Sequence, residues 1–148
     1  MEIFKTSQFG EITYQEKDII KIPKGIFGFG EYKKYVIIKK EEDLPFLWFQ
    51  SIENPKLAFV ITDPLIFFPT YKIIPDKSDL DELEVSDPKE LKIYVIVTIP
   101  PKSPDLSSAN LIAPLVINPR INLAKQLVLP KSPYTLKHYI LETLKKKN

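Results

Sequence analysis

The chain has 148 residues, a formal net charge of +2 and no cysteine. This length favours one domain with a core of its own. The lack of cysteine excludes disulfides, thiol catalysis and cysteine-ligated metals, and it fits a reducing cytoplasm. The sequence has neither an apolar run of the ~20 residues that span a bilayer nor a visible export signal, so we expect a cytoplasmic protein without membrane contact.

Apolar and polar residues alternate through the first half of the chain in the manner of short β-strands. The pattern predicts a hairpin over residues 3–14, with its turn at Phe9-Gly10, and further strands over 18–22, 35–38, 46–52 and 57–62. The aromatic rings between residues 46 and 71 fit a core. Alternatively, Phe67, Phe68 and Tyr71 would be base-stacking platforms of an OB-like barrel that binds single-stranded nucleic acid directly.

Three of the four glycines, Gly25, Gly28 and Gly30, lie in one loop. A phosphate-binding loop would open a helix, whereas a strand pattern follows here. We therefore predict a tight loop with left-handed glycines. Its apolar residues would anchor the loop in the core or, alternatively, form an exposed apolar contact; these residues are Ile26, Phe27 and Phe29.

Charge is distributed unevenly in the second half of the chain. Residues 76–92 hold seven acids against three lysines, whereas from Arg120 onward one acid faces seven basic residues. A polarised layout of nearly balanced charge favours protein partners over a polyanion. Part of the acidity belongs to the first turns of two predicted short helices, over 79–83 after the cap Ser78 and over 88–91 after the cap Asp87.

Residues 107–119 carry the most informative pattern. After a strand predicted over 92–99, the apolar run 111–117 has the length of a buried strand, but Pro114 in its middle has no N–H for a ladder. The strand therefore lies at an edge or contains a bulge. It is either a core strand or an edge that another protein could use for docking. A strand over 124–129 and a helix over about 136–146 complete the prediction.

The sequence offers few groups for catalysis. His138 is the only histidine, and Glu142 is its only neighbour at a helical metal-ligand spacing. Ser107 and Ser108 fit turn or cap hydroxyls better than nucleophiles, because no base is indicated beside them. We therefore predict no catalytic residue, no cofactor and no metal site.

Five stretches nevertheless occur in a characteristic order and spacing. They are GIFGF (25–29), LWFQSIENPKLAFVITDP (47–64), SSANLIAPLVIN (107–118), AKQLVL (124–129) and YTLKH (134–138). In these stretches, and from Phe9-Gly10-Glu11 to His138 overall, the chain resembles the flagellar assembly factor FliW family. The resemblance implies a mainly β, single, antiparallel barrel-like domain with one to three short helices and no enzymatic activity.

The resemblance also implies two protein partners, flagellin and the RNA-binding translational repressor CsrA. A FliW protein would antagonise CsrA until accumulating flagellin takes it away, so that flagellin synthesis follows export. We expect a monomer without direct nucleic-acid binding. The resemblance assigns residues 1–138 to the FliW-like domain, whereas 139–148 would be a helical or frayed extension, since Tyr139 follows His138 where family members commonly have proline.

Position and chemistry suggest two sets of partner-binding residues. An acidic set would attract the basic CsrA, and it consists of Asp79, Asp81, Glu82 and Glu84. An apolar groove or edge would suit the helical termini of flagellin. The candidates for that second surface are Phe67, Phe68, Pro104, Asp105, Ser107, Ser108 and Asn110.

Overall fold

β-strands account for most of the regular structure in the computed structural model, which describes residues 2–130 and 132–141. Two short helices, α1 (Pro64–Phe67) and α2 (Lys77–Glu82), lie between the sixth and seventh strands. The strands are β1 (Glu2–Thr6), β2 (Gly10–Tyr14), β3 (Ile20–Lys21), β4 (Lys34–Ile38), β5 (Phe46–Ser51), β6 (Ala58–Thr62), β7 (Lys92–Thr98), β8 (Ser108–Ala109), β9 (Leu115–Asn118), β10 (Leu123–Gln126) and β11 (His138–Tyr139).

Seven of these strands close into a barrel. The order is β7-β6-β5-β4-β3-β10-β9, and β9 returns to pair with β7. All neighbours in this ring are antiparallel except β3 and β10. β8 and β11 extend the sheet from β7, while β1 and β2 form a separate hairpin. The predicted mainly β, barrel-like fold with one to three short helices is therefore confirmed.

Alternating apolar side chains fill the interior of the barrel. The Tyr35 ring of β4 stacks on the Phe49 ring of β5, with 4.5 Å between the ring centroids. Ile22, Ile61 and Leu115 surround this pair and are completely buried. Burial disfavours the phenolate and raises the pKa of Tyr35 to about 12. Within the described residues, buried apolar and aromatic side chains therefore form the interior of the barrel.

The segment over 107–118 differs from the predicted continuous strand. β8 and β9 pair with the same edge of β7, and residues 111–114 leave the ladder between them. The strand predicted over 111–117 is therefore wrong before Leu115, because Pro114 cannot donate to a ladder. Leu111 and Ala113 are nevertheless buried, which favours the core interpretation of this segment.

The glycine loop confirms its predicted left-handed residues. Gly25 and Gly28 have φ values of +69° and +87°. Ile26 is buried as an anchor, and the Phe29 ring meets Phe59 edge-on with 5.3 Å between centroids. Phe27 is 57% exposed, so its prediction as an anchor is wrong.

Two further local predictions need correction. α2 begins after Asp76 rather than Ser78, because the Asp76 carboxylate accepts from the Asp79 N–H at 2.9 Å. The predicted cap Asp87 is confirmed, although the turn that it starts is a 3-10 helix. The helix predicted from about residue 136 is wrong at its start, since β11 pairs with β8. Residues 142–148 lie outside the described residues.

Candidate protein-interaction surfaces

The acidic residues predicted to attract a partner come together on and just after α2. We call this set, Asp79, Asp81, Glu82 and Glu84, the acidic surface. Lys125 of β10 holds it against the barrel, with its Nζ 2.6 Å from Asp79 Oδ1 and 2.7 Å from Glu82 Oε2. The Lys125 side chain is only 18% exposed, so it acts as a partly buried brace. Sequence reasoning missed Lys125, which is 46 residues away from Asp79.

Ionisation of these groups follows from the same contacts. Hydrogen bonds from Lys125 and Lys24 hold the pKa of Glu82 below its usual range. Burial of Lys125 opposes its charged form, but the hydrogen bonds to Asp79 and Glu82 outweigh that cost and raise its pKa. The brace is therefore fully charged at neutral pH.

A second connection fixes the end of α2. Glu84 adopts a left-handed conformation at φ 58°, and the Val85 N–H donates back to the Leu80 carbonyl at 3.1 Å. This is the hydrogen-bond pattern of a Schellman cap, with an acidic residue where glycine is usual. Asn118 of β9 donates from Nδ2 to the Leu83 carbonyl at 2.8 Å. The barrel therefore fixes both the face and the end of α2.

The second predicted set is only partly at the surface. Pro104 and Asp105 are exposed in a short 3-10 turn, and Asn110 is half-buried. Ser107 and Ser108 are buried, and the Ser107 hydroxyl donates to the Pro104 carbonyl at 2.6 Å. Their turn and strand roles therefore replace the predicted surface role for these two side chains.

The paired phenylalanines divide in the same way. Phe67 is buried against Phe46, with 5.7 Å between stacked rings, whereas Phe68 is half-buried with His138 edge-on at 5.9 Å. Because Phe67 and Tyr71 are buried, they do not offer base-stacking faces. Leu65 and Ile66 are the exposed apolar residues of α1.

His138 is part of this packing. Its Nε2 accepts a hydrogen bond from the Thr135 N–H at 2.9 Å, and burial lowers its pKa. Within residues 2–130 and 132–141, no group of three His, Cys, Asp or Glu residues could hold a metal ion.

Two open grooves flank the segment over residues 72–75. One, of about 440 Å³, lies between this segment and residues 128–130 and 132–134. The other, of about 600 Å³, lies between the segment and residues 87–93. Ile74 lines both grooves and is 81% exposed. Sequence reasoning missed this surface, because one isoleucine between short elements gives no periodic signal.

The comparisons with known proteins agree with this architecture. The family model described as FliW protein matches residues 3–140. The chain belongs to the FliW family. A flagellar assembly factor FliW from Caldanaerobacter subterraneus subsp. tengcongensis is 45% identical over 141 residues, which cover 95% of this chain and 93% of the relative. One from Alkaliphilus metalliredigens is 41% identical over 145 residues, which cover 97% and 89%.

A solved FliW structure supports the same assignment. The crystal structure of the flagellar assembly factor FliW superposes with a TM-score of 0.87 at 37% identity, and covers 94% of this chain and 96% of that chain. This FliW family member is therefore similar to flagellar assembly factors in sequence and fold. None of its described helices is both long and apolar enough to cross a membrane.

Proposed function

We propose that this FliW family member is a cytoplasmic, monomeric regulator without enzymatic activity that binds flagellin and CsrA in alternation. While it holds CsrA, the repressor is kept from flagellin mRNA. When flagellin accumulates before export, it takes the FliW protein, and the freed CsrA stops further synthesis. Two ligands that exclude each other on one protein are reciprocally coupled, so each reports the concentration of the other.

The braced acidic surface is the observation that carries the CsrA part of this proposal. Asp81 and Glu84 are exposed, while Asp79 and Glu82 face Lys125. A fixed set of carboxylates attracts a basic protein over distances near the Debye length and speeds its association. Because Lys125 and Asn118 fix α2, the surface does not need to become ordered when the partner arrives.

The helical termini of flagellin would bind an apolar surface, and α1 together with the 3-10 turn at Pro104 provides one. Leu65 and Ile66 are exposed on α1, beside the half-buried Phe68. Phe68 contacts His138 of β11, and β11 pairs with β8. The 3-10 turn that contains Asp105 lies just before β8 in the chain, so it is close to the same surface. We assign the helical end of flagellin to this apolar surface.

Charge reversal of the exposed acids tests the CsrA part. We expect the double variant Asp81→Lys/Glu84→Lys to associate with CsrA about ten-fold more slowly at low salt, and with flagellin at nearly the parent rate. Asp79 and Glu82 are left intact because they hold Lys125. The matched control is Glu2→Lys/Glu11→Lys, which makes the same charge change on the exposed hairpin. Equal CsrA association rates for the two double variants would remove the acidic surface from the interface.

A further inference from the structure

The chain after β10 continues as an extended segment that is hydrogen-bonded on one side only. The Leu127 N–H donates to the Pro114 carbonyl at 2.8 Å, and the Leu129 N–H donates to the Ile112 carbonyl at 2.9 Å. These partners extend the β10–β9 register, in which Gln126 lies opposite Leu115. The chain therefore keeps a strand-like course through residue 129, although Pro114 cannot donate in return.

Val128 is the residue of this edge that faces outward. In an antiparallel strand the backbone groups of successive residues point to opposite sides, so those of Val128 point away from residues 112–114. Among the residues that the structure describes, neither its N–H nor its C=O has a hydrogen-bond partner. Its side chain is 54% exposed. Such an edge is a template for another strand.

The segment opposite also has unpaired backbone groups. Within the described part of the chain, the N–H groups of Ile73 and Ile74 donate no hydrogen bond. The start of the segment is fixed, because the Lys72 N–H donates to the Tyr134 hydroxyl at 3.0 Å and the Tyr134 ring packs on Tyr71. Val128 and Ile74 line the same groove of about 440 Å³. Both walls therefore combine apolar side chains with free donors.

Charge distinguishes one end of this groove. Asp76 and Asp79 line it where the segment leads into α2. Hydrogen bonds from Ser78 and from the Asp79 N–H lower the pKa of Asp76, so its carboxylate is charged at neutral pH. The groove is thus mainly apolar, with the two carboxylates at the α2 end and with Lys72 also in its lining.

We propose that this groove binds a short extended segment of a second protein, which adds to the Val128 edge, places an apolar side chain between Ile74 and Val128, and sets a lysine or arginine beside Asp76. Main-chain pairing supplies the affinity of such strand addition, and the side chains supply its selectivity. The inference rests on the proposed function only in taking this chain to act by binding proteins.

Selection from a library of short random peptides on the immobilised chain tests the proposal. We expect enriched peptides to contain a lysine or arginine next to alternating apolar residues. Their affinity should fall about ten-fold in Val128→Pro, which removes the outward N–H and no internal hydrogen bond, and in Ile74→Ser. Ile3→Ser and Leu136→Ser are matched controls, since both residues are exposed apolar side chains outside the groove, and should leave affinity unchanged.

Three outcomes of these experiments would bear on the groove assignment or on the proposed function. Failure to enrich any peptide, or peptides that bind Ile74→Ser as tightly as the parent, would overturn the proposal even if Val128→Pro fails to fold. A dimer in sedimentation velocity that Ile74→Ser converts to a monomer would also overturn it, because the groove would then hold a second copy of the chain. Binding of flagellin and CsrA is measured on the same variants. Peptide binding without either protein would contradict the proposed function and leave the groove assignment standing.

Discussion

Asn118 links the barrel to the acidic helix, and its replacement by alanine tests whether that link orders α2. The side chain donates from Nδ2 to the Leu83 carbonyl at 2.8 Å and accepts from the Arg120 N–H at 3.2 Å. Asn118 and Leu83 are each 1% exposed. Asn118→Ala therefore leaves a buried carbonyl without its donor.

The size of the effect follows from these contacts. A buried polar group left without a partner costs about 1–3 kcal/mol, and the second hydrogen bond adds roughly 0.5–1 kcal/mol. We expect Asn118→Ala to lower the free energy of unfolding by about 2–3 kcal/mol, which for a domain of this size lowers the melting temperature by about 5–10 °C. The control Asn54→Ala removes only an exposed hydrogen bond to the Lys56 N–H and should cost less than about 1 kcal/mol.

Urea unfolding, followed by the fluorescence of the single tryptophan, measures the change in stability. Hydrogen exchange of the α2 amides shows where the stability is lost, because local opening of α2 would speed their exchange more than that of the barrel strands. A loss below about 1 kcal/mol, or α2 exchange equal to that of the parent, would refute the role assigned to Asn118.

Three further contrasts test the packing. Gly25→Ala should destabilise the chain far more than Gly28→Ala, because both require positive φ but only the Gly25 methyl would meet backbone, at 2.5 Å; similar melting temperatures would contradict this. Tyr71→Phe should cost about 1–2 kcal/mol, since its hydroxyl donates to a buried carbonyl at 2.7 Å. Tyr35→Phe should be neutral or stabilising, since in the described chain the buried Tyr35 hydroxyl has no partner; denaturant midpoints compare the two. Lys125→Met should make the free energy of unfolding less dependent on pH in the acid range. Hydrogen bonds from Lys125 and Lys24 lower the pKa of Glu82, so they stabilise the parent at pH values above the ordinary glutamate pKa of about 4.3, and this stabilisation is lost as the pH falls below that value. An equal dependence of the unfolding free energy on acid pH for both proteins would exclude the stabilising role of Lys125.

Local patterns in the sequence predict most of the strands but not how distant segments meet. The alternation over 92–99 predicts β7 almost residue for residue, although Tyr94 on the second face is buried as well as Val95 and Val97 on the first. The spacing of Tyr134, His138 and Leu141 predicts a helix, whereas the structure has a strand at His138–Tyr139. That strand depends on pairing with β8, which is distant in sequence. Tertiary contacts override weak local preference at such positions.

The interaction surfaces show the same division. Charge counting finds the acidic set, since its members are close in sequence. It does not find Lys125 or Asn118, because their contacts with α2 depend on barrel closure. Ser107 and Ser108 are polar, and their residue type suggests exposure, but both are buried. The Ser107 hydroxyl donates its hydrogen bond within the preceding turn, and Ser108 is paired with β7 and β11 on either side. Pro114 correctly indicates an interrupted ladder, and the free edge lies on its partner strand at Val128.

Competition between the two partners tests the proposed function most directly. A complex of the chain with fluorescently labelled CsrA is titrated with flagellin in the presence of the RNA that CsrA binds. We expect flagellin to release CsrA as its concentration reaches that of the chain, and CsrA to bind RNA again over the same range. A stable complex of all three proteins, or a CsrA signal that flagellin leaves unchanged, would contradict partner exchange.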